Sequence, residues 1–397
     1  MTIRPFAALR PSAELAPKVA AVPYDVVDTA EAAALASGNP YSFLHVSRPE
    51  IDLAPGTTCD CAEAYVQARR ALDKLRAEGT LKLDAAPTMY AYRQIMGSHA
   101  QTGVVACFDT ADYENGTLKR HEKTRTDKED DRTRHILTLE AHTGPVFLTY
   151  RDDAGIDAIV ASAMEGEPIF DFTAPDGIRH TGWIIPDAEK LAKAFEAVPA
   201  AYIADGHHRA AAAARAARER GGEYSRFMAV IFPAGQLKIL AYNRLLADLN
   251  GLDEAGFLAE VKKRFTVAPA ADGTPLKPRT ARMYLGGSWY DLSWSVPEDA
   301  GVVESLDVSV LQDRLLAPVL GIDDPRTSPR ISFMGGIRPV EDLKAAVDSA
   351  RAKVAFSMVP VSVGEMMDIA DAGAIMPPKS TWFEPKLRSG LFVHAVV

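Results

Sequence analysis

The stretch Ala201-Tyr202-Ile203-Ala204-Asp205-Gly206-His207-His208-Arg209 constrains the fold most, because it asks a strand to end and a helix to begin within a few residues. Tyr202 and Ile203 favour extended backbone, Asp205 is a strong N-cap, and Ala210 to Arg218 has the highest helix propensity in the chain. The junction therefore sets free backbone N–H groups and the positive end of a helix dipole beside two histidines and an arginine, which suits a phosphate. A plain capped first turn accounts for Asp205 and Gly206 equally well, but capping does not ask for two histidines and an arginine. A carboxylate at the cap also repels the anion that the dipole attracts. Asp205 thus reads as a base for a hydroxyl nucleophile or as the partner of a metal ion.

With 397 residues the chain is long enough for two or more domains, and 47% hydrophobic with 24% charged residues is ordinary globular composition. A net charge of −9 argues against a broad nucleic-acid or anionic-membrane surface and leaves room for a local basic pocket. Neither nucleic acid nor membrane is expected as a partner, and a cytoplasmic location is. No apolar run approaches about 18 residues, and the opening Met1-Thr2-Ile3-Arg4-Pro5-Phe6 lacks the apolar core of a signal peptide. Cys59, Cys61 and Cys107 suit neither a disulfide framework nor a CxxC motif, so they read as structural or incidental. No structural zinc, haem or flavin is expected.

The pattern along the chain predicts an α+β fold of mixed sheets with flanking helices. Residues 1–250 read as an N-terminal α+β domain and 251–397 as a C-terminal α/β lobe, with a tail, 376–386, returning to the site. Short apolar runs at Ile3 to Leu9, Val19 to Val22 and Phe43 to Val46 suggest strand, loop, helix and strand. Ala62 to Glu78 has helical spacing, and Met89 to Ile95 with Gly103 to Phe108 reads as a hairpin. Dense mixed charge from Lys119 to His142 suggests a solvated surface along a helix. Further strands are expected at 146–150, 168–172 and 180–185, and 226–232 with 237–242 as a paired continuation of one sheet. In the last third, helices are expected at 252–264, 308–320, 339–350 and 362–371, and strands at 282–294, 330–334 and 353–360.

A second constellation is Lys119-Arg120-His121-Glu122-Lys123-Thr124-Arg125. Glu122 suits a general base or a magnesium ligand, while Arg120, Lys123 and Arg125 can neutralise phosphate charge; a salt-bridged loop is the plainer alternative. His121-Glu122 opens an HExxH pattern, but position 125 is Arg, which rules out that zinc-hydrolase type. No GxxxxGK[ST], GxGxxG or GxSxG run is present. The tail carries Lys379, Glu384 and Lys386 among aromatics, with Lys379, stiffened by Pro377 and Pro378, as a point charge toward phosphate. Tyr24 and Asp25, after Pro23, and Tyr41, after Asn39-Pro40, are turn residues that can line a substrate pocket.

Taken in order, Pro23-Tyr24-Asp25-Val26-Val27, Asn39-Pro40-Tyr41-Ser42-Phe43-Leu44, His121-Glu122-Lys123-Thr124, Ala204-Asp205-Gly206-His207-His208-Arg209 and the tail from Met376 to Lys386 resemble domain-of-unknown-function family 1015 across essentially the whole chain. The Asp-Gly-His-His-Arg element also resembles the phosphate-side motif of the ParB/sulfiredoxin-like fold, in particular of free serine kinases, which phosphorylate L-serine with a nucleotide donor. That resemblance implies a ParB/sulfiredoxin-like core around the strand–helix junction. It implies that Asp205 acts near the serine hydroxyl, that Gly206, His207, His208 and Arg209 face phosphate, and that Glu122 assists.

The combined expectation is a phosphotransferase acting on the hydroxyl of a free amino acid, with L-serine favoured. ATP, ADP or pyrophosphate is the donor and Mg²⁺ the counter-charge. Asp205, Glu122 and His208 are the catalytic candidates; Gly206, His207, Arg209, His121, Lys123, Thr124, Arg125 and Lys379 the phosphate contacts; Tyr24, Asp25, Tyr41 and Glu384 the substrate pocket. The partner is a small phosphorylated ligand, and a homo-oligomer is allowed. The alternatives are a nucleotide- or phosphometabolite-binding regulatory protein without turnover, since ParB-like folds also serve as switches, and a histidine-dependent hydrolase.

Overall fold

Residues Met89–Met96 and His99–Asp109 pair antiparallel across a turn at Gly97. Met89, Tyr90, Ala91 and Tyr92 are all buried, so this strand is covered on both faces and reads as a continuous apolar run instead of an alternating one. The computed structural model describes residues 1–275 and 277–396. It is α+β and divides into two compact units, Met1–Leu237 with Pro385–Val397, and Lys238–Glu384. The boundary expected at 250/251 lies inside the second unit, while the last residues of the chain belong to the first.

In the first unit a nine-stranded sheet runs Leu118–Lys119, Ala201–Asp205, Val146–Tyr150, Arg226–Pro233, His99–Asp109, Met89–Met96, Arg179–Ile185 and Phe170–Thr173, with Ile3–Arg4 added to His99–Asp109. Two neighbouring pairs are parallel, 118–119 with 201–205 and 146–150 with 226–233. Helix His207–Arg220 packs against helices Thr126–Leu139 and Thr110–Glu114. Ala210 to Ala214 and Ala216 are buried nearly all round the helix, and alanine's single methyl allows a close approach on every side without the helix cost of glycine. The chain end is threaded through this unit: Ser389 bridges Ala21, Val393 bridges Leu9, and His394 pairs with His142.

The second unit has a six-stranded sheet in the order Thr266–Ala270, Ser288–Ser293, Thr280–Leu285, Val354–Met358, Tyr242–Leu246 and Ile331–Gly335. Every pairing in it is antiparallel, so the α+β description extends to this unit. Among the described residues no helix is long and apolar enough to cross a membrane.

Several local expectations change. Phe43 to Val46 is not a strand; Leu44–Ser47 is a helical turn, with the Leu44 N–H donating to Ser42 Oγ at 3.3 Å. A four-residue run with three apolar members cannot separate strand from helix, and the polar residue before it decides. Likewise, helix Ala16–Val19 ends where the run from Val19 begins. The strand expected over 282–294 is two, Thr280–Leu285 and Ser288–Ser293, folded back at Gly286 and Gly287, whose φ of 56° and 81° suit a tight hairpin. Lys238–Leu240 does not continue the sheet of Arg226–Pro233 but pairs with Trp382–Glu384 in the second unit.

The charged stretch 119–142 is not simply solvated. In helix Thr126–Leu139 the residues Asp131, Arg132, Thr133 and His135 are buried. They are tolerated because they are paired: Tyr65 Oη donates to Asp131 at 2.7 Å and Arg132 Nε to its other oxygen at 2.9 Å. The cysteines are free, with Cys61 Sγ accepting from the Ala64 N–H at the start of helix Ala62–Ala77 and Cys107 buried.

Candidate active site at a strand-to-helix junction

Strand Ala201–Asp205 follows its parallel neighbour Leu118–Lys119, with Ala201 opposite Leu118 and Tyr202 opposite Lys119. Parallel strands end on the same edge, so the loop holding His121 and the helix beginning at His207 emerge side by side. Against Val146–Tyr150 the register of 201–205 slips between Ile203 and Asp205, an irregularity of the kind that re-aims a side chain at a sheet end.

Asp205 is not the helix cap. It is the last strand residue, and the cap position is Gly206, at φ 93° and with no side-chain cap bond to the helix. This left-handed step is one that glycine makes without a Cβ clash. The carboxylate is left to turn elsewhere, and Lys386 Nζ donates to its Oδ2 at 3.1 Å while Arg209 Nη2 lies 3.6 Å from Oδ1. Burial works to raise the Asp205 pKa, but Lys386 and then Arg209 overcome it and hold the carboxyl well below the usual range. The charge conflict foreseen at the helix head is thus met by two cations. Lys386 is the residue that sequence reasoning passed over in favour of Lys379; its signal was its place in the same tail motif.

Arg209 is fixed at both ends of its guanidinium, since Nη1 also donates to the Pro145 carbonyl. It folds over Gly206 so closely that a Cβ there would lie 2.9 Å from its Cζ. Gly206→Ala is therefore expected to cost about 1–3 kcal/mol, from the left-handed backbone and from displacing Arg209. Urea unfolding of the variant checks this; an unchanged midpoint would refute the tight contact.

The loop 121–125 meets the same helix head. The Arg125 N–H donates to His208 Nε2 at 3.0 Å, which occupies the nitrogen that sequence reasoning offered to phosphate or to catalysis. His208 titrates below its ordinary value, by burial first, although the Asp25 carboxylate opposes this. The Arg125 guanidinium is taken by Asp127 at 2.8 Å, Thr124 Oγ1 donates to Glu129 at 3.3 Å, and Lys123 is exposed. His121 and His207 lie edge to face with ring centroids 4.5 Å apart, and they are 2% and 5% exposed. Burial pushes the His121 pKa down to about 4 and His207 well below its ordinary value, the latter also through His121. Both rings are neutral at neutral pH and bring no positive charge to a phosphate. Glu122, exposed, completes with them a group whose potential ligand atoms lie within 4.8 Å of one another.

Tyr24, Arg132, Thr143, Gly144, Arg209 and Ser389 border a cavity of about 40 Å³. That is room for ordered water and too little for a nucleotide. Arg132, a buried cation unforeseen in the sequence, lies with its guanidinium carbon 4.0 Å from the Tyr24 ring centroid. Tyr41 packs against the apolar cluster of the N-terminal helices, with its N–H on Asn39 Oδ1 at 3.2 Å. Lys379 and Glu384 belong to the second unit. There the Lys379 ammonium is 5.2 Å from the Tyr242 ring, and Glu384 accepts from Trp382 Nε1 at 2.6 Å.

No curated protein matches the chain. Among solved structures it is similar to a conserved hypothetical protein from Pyrococcus furiosus, with 14% identity, a TM-score of 0.38, and 73% of this chain and 95% of that one covered. It is also similar to a free serine kinase in complex with AMP, with 11% identity, a TM-score of 0.38, and 72% and 91% covered. A third is C-terminally truncated SbnI from Staphylococcus aureus, with 10% identity, a TM-score of 0.39, and 73% and 87% covered. The family described as "Protein of unknown function (DUF1015)" matches residues 3–309, and the chain belongs to that family.

Proposed function

We propose that the protein transfers a phosphoryl group from a nucleotide or pyrophosphate donor to the hydroxyl of a free amino acid, with L-serine as the favoured acceptor. The observation that carries this reading is the charge arrangement around Asp205: one carboxylate between Lys386 and Arg209 at the head of helix His207–Arg220. The first-turn amides and the two cations can receive phosphate oxygens. While Lys386 and Arg209 are spent on Asp205, the carboxylate is a poor base. When donor phosphate draws those cations away, its basicity rises as the transfer geometry forms. Asp205 then takes the serine hydroxyl proton, the serine oxygen bonds to phosphorus, and the bridging bond of the donor breaks, leaving the shortened donor with the electron pair. When bound with the donor, Mg²⁺ would supply counter-charge to its phosphates.

Phosphorus NMR of the protein with L-serine, Mg²⁺ and, in separate tubes, ATP, ADP and pyrophosphate tests the reading. A phosphoserine resonance is expected in at least one tube. Its absence from all three, alongside ligand-dependent protection from proteolysis, would replace transfer with a regulatory binding role.

A further inference from the structure

We propose that His121, Glu122 and His207 form a three-ligand site for a borderline divalent transition-metal ion of the zinc type, with a further coordination position open. The inference goes beyond phosphotransfer and does not depend on it.

Three separate features carry it. The first is the fold: the paired parallel strands 118–119 and 201–205 deliver His121 and His207 from the same sheet edge, two residues beyond the last residue of each strand. The second is that both ring nitrogens of His207, in a residue only 5% exposed, have no hydrogen-bond partner. A buried imidazole ordinarily donates from one nitrogen and accepts at the other, so a ring left wholly unsatisfied is costly unless something else binds it. The third is composition and access. One atom from each of the three residues already falls within 4.8 Å of the others, and Glu122 is the exposed member, giving an ion a way in from solvent.

Around a tetrahedral ion with bonds of ~2.1 Å, ligand atoms stand roughly 3.4 Å apart. The group must therefore close by an ångström or so, which a side-chain rotation of exposed Glu122 can provide in part. Two imidazoles and one carboxylate favour zinc, iron or cobalt over Mg²⁺, which prefers oxygen ligands and retains its waters. Three protein ligands leave a position for water or a substrate oxygen, unlike a closed structural site. The residues concerned are not those of an HExxH helix: His121 and Glu122 lie on a loop and His207 at a helix start, brought together from distant parts of the sequence by the parallel strand pair.

The test uses the full chain, stripped with a chelator and titrated with Zn²⁺ against a chromophoric competitor, in the absence of serine and nucleotide. One equivalent is expected to bind, and Co²⁺ in its place should give visible absorption of a low-coordinate site. Glu122→Gln, at an exposed position, and His207→Asn should each weaken Zn²⁺ binding by at least about a hundredfold with far-UV circular dichroism unchanged. A tenfold excess of Mg²⁺ over Zn²⁺ should leave the titration unmoved. The proposal is overturned if no single-equivalent binding is found, if both folded variants bind as the parent does, or if Mg²⁺ displaces the ion. Because no turnover enters the measurement, failure of the phosphotransfer reading leaves this result standing, and the reverse holds too.

Discussion

Asp205→Asn is expected to lower the rate of phosphoryl transfer to serine by about 10²–10⁴-fold, the usual contribution of a positioned general base, while donor affinity stays the same or tightens. The asymmetry follows from the charges. Asn keeps the shape of the side chain but removes the anion that Lys386 and Arg209 now face at 3.1 and 3.6 Å. Both cations become available to phosphate without first leaving a carboxylate. A purely structural role would instead weaken binding and turnover together as the helix head loosens. The pH profile gives a second readout: the acid limb of the parent rate, set by protonation of Asp205 in the donor complex, should vanish in the variant. Unchanged turnover in Asp205→Asn would remove Asp205 from the chemistry.

The parts of this site that could be read in the sequence are those whose causes are local. The strand at 201–205 and the helix after it follow from β-preferring residues giving way to alanines, and the hairpin at 89–109 follows from two apolar runs around a glycine. The helix cap was misassigned between neighbours for an equally local reason. Asp205 has the better capping side chain, but Gly206 is the residue that can take φ 93°, and backbone geometry prevailed. What was not legible is non-local. Lys386 is 181 residues from the carboxylate it binds, and nothing around it distinguishes it from Lys379. The division between the two units passes between these lysines, at Glu384 and Pro385. Buried Asp131 and Arg132 looked like surface charges because the hydroxyl that satisfies Asp131 belongs to Tyr65, 66 residues earlier.

Lys386→Met keeps the apolar stem and removes the charge, and two effects follow with different signatures. Losing a charge-assisted contact of about 1.5–3 kcal/mol should weaken donor binding roughly 10- to 150-fold. The stability effect depends on pH. Because the folded-state pKa of Asp205 is depressed, its contribution is fully present above the unfolded value of about 3.9 and is lost progressively as pH falls from there through the lower folded value. The variant, with a less depressed Asp205, should be less stable than the parent by about 1–3 kcal/mol at pH 7. That gap should narrow only once the pH falls through the variant's Asp205 value toward the lower one of the parent, because the carboxylate protonates first in the variant. Urea unfolding from pH 7 down to about pH 2 measures it, and a gap that fails to narrow even at the acid end would mean that Lys386 stabilises by packing alone. The combination Asp205→Asn with Lys386→Met separates the remaining alternatives. If Lys386 serves only to restrain Asp205, the double variant should bind donor as Asp205→Asn does. If Lys386 receives phosphate itself, the loss of affinity should persist without the carboxylate, because the ammonium then acts on the ligand directly.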